Sequence, residues 1–114
     1  MSERPAFELR ESVSGGAVTI EVIGEVDMAT APELGAKLES VGDETRLVVV
    51  DLREVAFLDS SGLNTLAHSQ RELEGRGIGF RIVSPADHVV RRIFEITHLT
   101  ESLHVVDSVD DALA

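Results

Sequence analysis

Asp59, Ser60 and Ser61 set a carboxylate and two hydroxyls side by side, and Gly62 follows them. Leu63, Leu66, Ala67 and Leu73 then recur at helical spacing, so the cluster sits where a helix begins. Three chemistries suit it. Asp and Ser are preferred N-caps, because a side-chain oxygen accepts from the free N–H groups of the first turn. One cap suffices for one helix, which leaves the other oxygens without an assignment. A serine hydroxyl here also suits a phosphoacceptor: free amides and the positive helix end tolerate a phosphate. The added charge of about −1.5 to −2 would act on Asp59 and on whatever docks there. Gly62 removes a side chain beside the serines, so that another molecule can approach the backbone. From these residues alone, capping is the simpler account, and phosphorylation stays open beside it.

The third chemistry is nucleophilic catalysis, and the pattern argues against it. A Gly-x-Ser-x-Gly elbow is absent, since Leu58, Asp59, Ser61 and Gly62 flank Ser60. His68 lies two turns along the same helix and is expected to point away from its start. No pair among His68, His88, His98 and His104 has metal-site spacing. Gly75-Arg76-Gly77-Ile78-Gly79 follows a helix and opens a strand, the reverse of a phosphate loop, and reads as a helix C-cap. No catalytic residue, metal or cofactor is expected, and the chain is expected not to be an enzyme.

The elements that position this cluster follow from periodicity. Residues 7–13 and 17–23 alternate and flank Gly15-Gly16, which predicts an N-terminal hairpin ended by Gly24. Thr30 with Glu33 reads as a capping box, and Pro32 fits the first turn of the helix it opens. Ala31, Leu34, Leu38 and Val41 are its inward residues, and Gly42-Asp43 close it. Residues 47–50 form an unbroken apolar run, expected as a strand buried on both faces of a parallel sheet. Residues 51–59 read as a loop to the Ser60 helix, and residues 79–83 as a further strand. Ser84-Pro85 is expected to start a third helix, with Val89, Val90, Ile93 and Phe94 inward. Residues 103–106 are a last strand candidate. Ser108 caps a short terminal helix with Val109, Ala112 and Leu113 inward. The order ββαβαβα(β)α predicts one α/β domain over residues 1–114, its core roughly 5–113. Its sheet is mixed, with four to five strands and about four helices.

Composition narrows the partners. The 114 residues are 43% apolar and 27% charged, with four Phe and no Trp or Tyr, so the core must be aliphatic. A net charge of −11 repels nucleic acid and anionic membrane surfaces and is compatible with a basic protein partner, although solubility alone is the simpler account of it. With no cysteine, disulfides and thiol chemistry are excluded. The N-terminal residues hold no apolar stretch of signal-peptide length, and a cytoplasmic protein is expected.

Taken together, three blocks resemble the STAS family, and within it the bacterial anti-sigma factor antagonists. They are Gly24-Glu25-Val26-Asp27-Met28-Ala29-Thr30-Ala31-Pro32-Glu33-Leu34, then Val48-Val49-Val50-Asp51-Leu52 with Phe57-Leu58-Asp59-Ser60-Ser61-Gly62-Leu63, then Ile82-Val83-Ser84-Pro85 with Val90-Arg91-Arg92-Ile93-Phe94 and Glu95-Ile96-Thr97-His98-Leu99. The middle block is the specific one. The resemblance implies a protein that binds an anti-sigma factor serine kinase and so releases a sigma factor. It implies phosphorylation of Ser60 by that kinase and dephosphorylation by a metal-dependent serine phosphatase. It also implies a partner-facing surface from the first helix, roughly residues 30–41, and the loop before Ser60. The partner-binding residues expected are Asp27, Thr30, Asp59, Ser60, Ser61 and Gly62. A scaffold subunit of a stress-signalling or lipid-transport STAS complex is the alternative. The chain departs from the family pattern at His98, where Gly is common in a Thr-Gly-Leu turn, and at Asn64 and Gly79.

Overall fold

In the computed structural model, which describes residues 6–114, Gly15 and Gly16 adopt φ of 57° and 82°. Two successive positive φ angles are what a tight I′ hairpin turn needs, and glycine supplies them without a Cβ clash. The turn joins β1 (Phe7–Ser14) to β2 (Ala17–Val26) in antiparallel register from Ser14↔Ala17 to Phe7↔Gly24. Gly24 does not end the strand, contrary to the sequence reading. β2 runs on to Val26 through two register irregularities against its parallel neighbour. Gly24 has φ 105°, and a Cβ there would lie 2.1 Å from the Ala6 carbonyl oxygen. The glycine lets two backbones meet and bends the strand rather than stopping it.

That neighbour is β3 (Leu47–Leu58), far longer than the apolar run at 47–50. The expected loop over 51–59 is therefore almost all strand. β3 pairs with β2 along its length but with β4 (Gly79–Val83) only from Leu47 to Asp51. Beyond Asp51 the irregularities break the two-residue period, so Val55 and Leu58 are buried among exposed residues and the run no longer looks like a strand. β5 (Val105–Val106) pairs with β4 and completes a mixed sheet in the order β1-β2-β3-β4-β5. Among the described residues only the β1–β2 pair is antiparallel.

Four helices join and cover these strands: α1 (Ala31–Glu39), α2 (Ser60–Gly75), α3 (Val89–Ile96) and α4 (Val109–Leu113). One large core gathers Ile20, Val48, Val50 and Ile82 from the sheet with Leu34 and Leu38 of α1, Leu66 and Leu73 of α2, and Phe94 of α3. A smaller cluster packs Ala112 of α4 on Val49 and Val83. Alternate residues of β3 thus serve separate clusters, which is why the run at 47–50 is apolar throughout.

α2 and α3 close in the same way. Ile78 N donates to Leu73 O at 2.9 Å and Gly77 N to Glu74 O at 3.0 Å, with Gly77 at φ 79°. After α3, Leu99 N donates to Phe94 O at 2.8 Å and His98 N to Glu95 O at 3.2 Å, with His98 at φ 59°. This closure wants a left-handed residue, for which glycine is the usual choice. His98 takes that conformation with a side chain attached. Three helix expectations need correction. α3 begins at Val89 rather than Ser84-Pro85, because His88 caps it by accepting from Val90 N on Nδ1 at 3.2 Å. Val89 and Leu113, expected inward, are exposed. Ser108 does cap α4, accepting from Asp111 N at 3.0 Å. The expected start of the core at Pro5 lies outside the described residues.

Candidate functional site

β2 and β3 leave the sheet side by side, and the cluster of interest sits where they end. Val26 pairs with Leu58, and Asp59 N donates to Val26 O at 3.2 Å. Asp59 is extended, at φ −104° and ψ −171°, and is the cap of α2. Its carboxylate accepts from Gly62 N at 3.1 Å and its carbonyl from Leu63 N at 3.1 Å. The cap is therefore a carboxylate at the positive end of a 16-residue helix, the favourable sign for the helix dipole. Ser60 is exposed and Ser61 half-buried. Among the described residues neither serine hydroxyl makes a hydrogen bond. Nor do the amides of these first two helical residues, as expected at a helix start.

Gly62 does not serve the role expected of it. It is buried, and a Cβ there would lie 2.3 Å from Leu58 Cδ1 and 3.0 Å from Val26 Cγ1. The missing side chain makes room for the protein's own core, not for a visitor, so Gly62 is not part of an accessible partner surface. Its absence seats the first turn of α2 on β2 and β3 and thereby fixes where Ser60 stands.

Asp27 and Thr30 build the adjacent turn. Asp27 Oδ1 accepts from Ala29 N at 2.9 Å and Thr30 N at 3.1 Å. Thr30 Oγ1 accepts from Asp27 N at 2.9 Å and stands 2.9 Å from Glu25 O. The expected capping box is not formed. Thr30 occupies the cap position, but its side chain makes no capping bond to α1. The Asp27 carbonyl and carboxylate take the Thr30 amide that Glu33 would have needed, an Asx-type turn outcompeting the box. Both residues thus shape the loop from inside and turn Met28 outward, where it is 79% exposed.

Phe57 is the second large apolar side chain at this end, 48% exposed and paired across the strands with Glu25. Neither Met28 nor Phe57 stands out in the sequence. Met28 is an apolar residue inside a polar turn, which was a usable signal. Phe57 looks like one more apolar residue of a loop.

Just inside this end, Asp51 is buried and held by Arg53. Arg53 Nη2 lies 2.7 Å from Asp51 Oδ2, and both Arg53 N and Nε lie 3.0 Å from Oδ1. The hydrogen bonds first, and then the carboxylate's charge, raise the Arg53 guanidinium above its ordinary value. Elsewhere, His68 Nε2 lies 3.9 Å from Glu39 and His104 Nε2 lies 3.4 Å from Glu74. No cluster of metal-ligating side chains forms among the described residues. Among them, too, no helix is long and apolar enough to cross a membrane.

Comparison with known proteins fits this geometry. An anti-sigma factor antagonist from Mycobacterium paratuberculosis has a crystal structure that superposes with a TM-score of 0.84 at 32% identity, covering 99% of this chain and 96% of that one. The anti-sigma-F factor antagonist RsfB of Mycobacterium tuberculosis is 31% identical over 99% of this chain and 92% of its own. The anti-sigma-B factor antagonist of Staphylococcus aureus is 34% identical over 75% of this chain and 80% of its own. The STAS domain profile matches residues 8–112. With the five-stranded mixed sheet and its four helices in place, the chain belongs to the STAS domain family.

Proposed function

We propose that this protein is a cytoplasmic anti-sigma factor antagonist, switched by phosphorylation of Ser60. In its unmodified form it binds an anti-sigma factor that is also a serine kinase, and the sigma factor is released. The kinase then phosphorylates Ser60, binding is lost, and a serine phosphatase restores it. The reading rests above all on one observation: Asp59 caps α2, so the exposed Ser60 hydroxyl is left without a structural task. The free amides at the helix start can receive the phosphate, so modification leaves the fold intact. The names of the relatives support the same assignment. Ser60 has no hydrogen-bonded base among the described residues, which supports a binding role over serine catalysis.

A phosphate in a docked surface disrupts a buried contact worth about 2–5 kcal/mol. That is roughly a 30- to 5,000-fold change in affinity. The test combines phosphosite mapping with binding. Purified anti-sigma factor kinases of the source organism are incubated with the protein and ATP, and the site is read by mass spectrometry. Wild type and Ser60→Ala should bind the cognate kinase, Ser60→Glu should lose it, and phosphate should appear on Ser60. Equal binding by Ser60→Glu, with no phosphate on Ser60, would reduce the residue to the start of a helix.

A further inference from the structure

Asn64 stands one turn after Ser60 on α2, and both are exposed. Residues four apart are neighbours on a helix surface, with Cβ atoms about 5–6 Å apart. Helical side chains also lean toward the N-terminus, so that of Asn64 tips back over the turn that holds Ser60. On its other side Asn64 lines an open groove of about 350 Å3 between α1 and α2, with Pro32, Ala36, Glu39, Thr65 and His68. Its amide makes no hydrogen bond among the described residues. Neither packing nor capping accounts for an amide there, since the residue is exposed and Asp59 already caps the helix. Helix propensity does not account for it either, because Asn is a weaker helix former than Ala or Leu.

A phosphate on Ser60 needs donors. It stands beside the Asp59 carboxylate, which only accepts. The unbonded amides of the first helical residues supply donors from the backbone. The side chains within helical reach, three and four residues on, are those of Leu63 and Asn64. Leu63 is half-buried against the core. Of the two, only Asn64 carries a side-chain donor, and its amide offers two N–H groups. A phosphate adds three acceptor oxygens beyond the serine hydroxyl, so it spans a gap that hydroxyl and amide leave open in the unmodified protein.

We infer that Asn64 is a positioning residue of the modified state: its side-chain amide donates to the phosphate on Ser60 and holds it over the first turns of α2. This rests on the antagonist reading and adds to it the residue that fixes where the phosphate stands. The bond is charge-assisted and stronger to the dianion than to the monoanion, so it favours loss of the phosphate's second proton. In the unmodified protein the same amide has no such task and stays free for solvent or for a partner at the groove.

The test places phosphoserine at position 60 of the chain by genetic incorporation, so that it needs no kinase. Phosphorus NMR then reads the midpoint of the phosphate's second ionisation in the otherwise wild-type protein, in Asn64→Ala and in Asn64→Leu, which keeps the bulk without the donor. Circular dichroism confirms that each is folded. The titratable neighbours are Asp59 at the helix start, and Glu39 of α1 and His68 of α2 along the groove, and all three proteins share them. The midpoint with Asn64 present should lie below that of both variants by about 0.3 pH unit or more, a roughly twofold change in the ionisation constant. A smaller difference, or one of opposite sign, would overturn the inference and leave the antagonist reading standing. Separately, the unmodified protein is incubated with ATP and the purified anti-sigma factor kinases of the source organism. Failure of every kinase to modify Ser60 would overturn the antagonist reading and, with it, the use of this contact.

Discussion

Gly62→Ala separates two meanings that one glycine can carry. If Gly62 keeps the backbone open for a partner, alanine should leave stability alone and weaken binding. The geometry gives the opposite expectation. The new Cβ would stand 2.3 Å from Leu58 Cδ1 and 3.0 Å from Val26 Cγ1. Against an ordinary carbon contact of about 3.5 Å, the first overlap is roughly 1.2 Å. Neither neighbour can retreat into solvent, since Leu58 is 3% exposed and Val26 fully buried. Inserting a methyl into such packing costs about 1–3 kcal/mol. Alanine's better helix propensity returns at most about 1 kcal/mol. With the full return the net is still a loss of up to about 2 kcal/mol, a fall in Tm of as much as several degrees for a domain of this size. Urea denaturation should show a lower midpoint with an unchanged slope. A midpoint above wild type would refute the packing account and return Gly62 to the partner surface.

Other substitutions probe the same end of the molecule. Asp59→Ala should cost about 1 kcal/mol through the lost cap, while Ser60→Ala should change stability by less than about 0.5 kcal/mol; urea midpoints that reverse this order would move the cap to Ser60. His98→Gly should stabilise the fold by about 0.5–1 kcal/mol, since the left-handed strain of about 1–2 kcal/mol exceeds the entropy glycine adds to the unfolded chain. A thermal melt with Tm unchanged or lowered would contradict that assignment.

The elements most legible in the sequence were those whose borders carry local chemistry. Residues 79–83 lie between a glycine and Ser84-Pro85, and the strand has those limits. Gly15-Gly16 marks the hairpin for the same reason. β3 was half hidden because its distal part lacks β4 as a neighbour and loses its period at the irregularities. Thr30 and Glu33 formed a valid capping pattern, but Asp27, three residues upstream, took the amide first. That competition depends on how β2 ends, which no short motif encodes. At the site, the sequence placed Asp59, Ser60 and Ser61 together at a helix start, and left open which of them caps. Only the geometry separates the capping carboxylate from the idle hydroxyls. Gly62 was misread because a glycine in a sequence does not say which side of the backbone lacks room.

The charge around Ser60 also constrains how a phosphate there would act. The modification adds about −1.5 to −2 beside the carboxylate of Asp59, which already caps the same helix. Where the partner face opposite Ser60 carries Lys or Arg, the long-range part of that charge is attractive, at about 1 kcal/mol per unit charge at 4 Å in water and about 4 kcal/mol in a surface environment. Loss of binding must then arise at short range. A phosphate on the exposed Ser60 enters a docked contact as an ion that must shed water, and that penalty is several kcal/mol even after relaxation. Repulsion and desolvation differ in their response to salt. Under repulsion from an acidic partner, screening brings the phosphorylated and unmodified affinities together as salt rises. Under desolvation against a face with Lys or Arg, screening removes an attraction that favours the phosphorylated form more, so the ratio of the two dissociation constants holds or widens. Titrating both forms at about 50, 150 and 500 mM salt reads that ratio directly. A ratio that shrinks toward one at high salt would refute the desolvation account and require an acidic partner surface opposite Ser60.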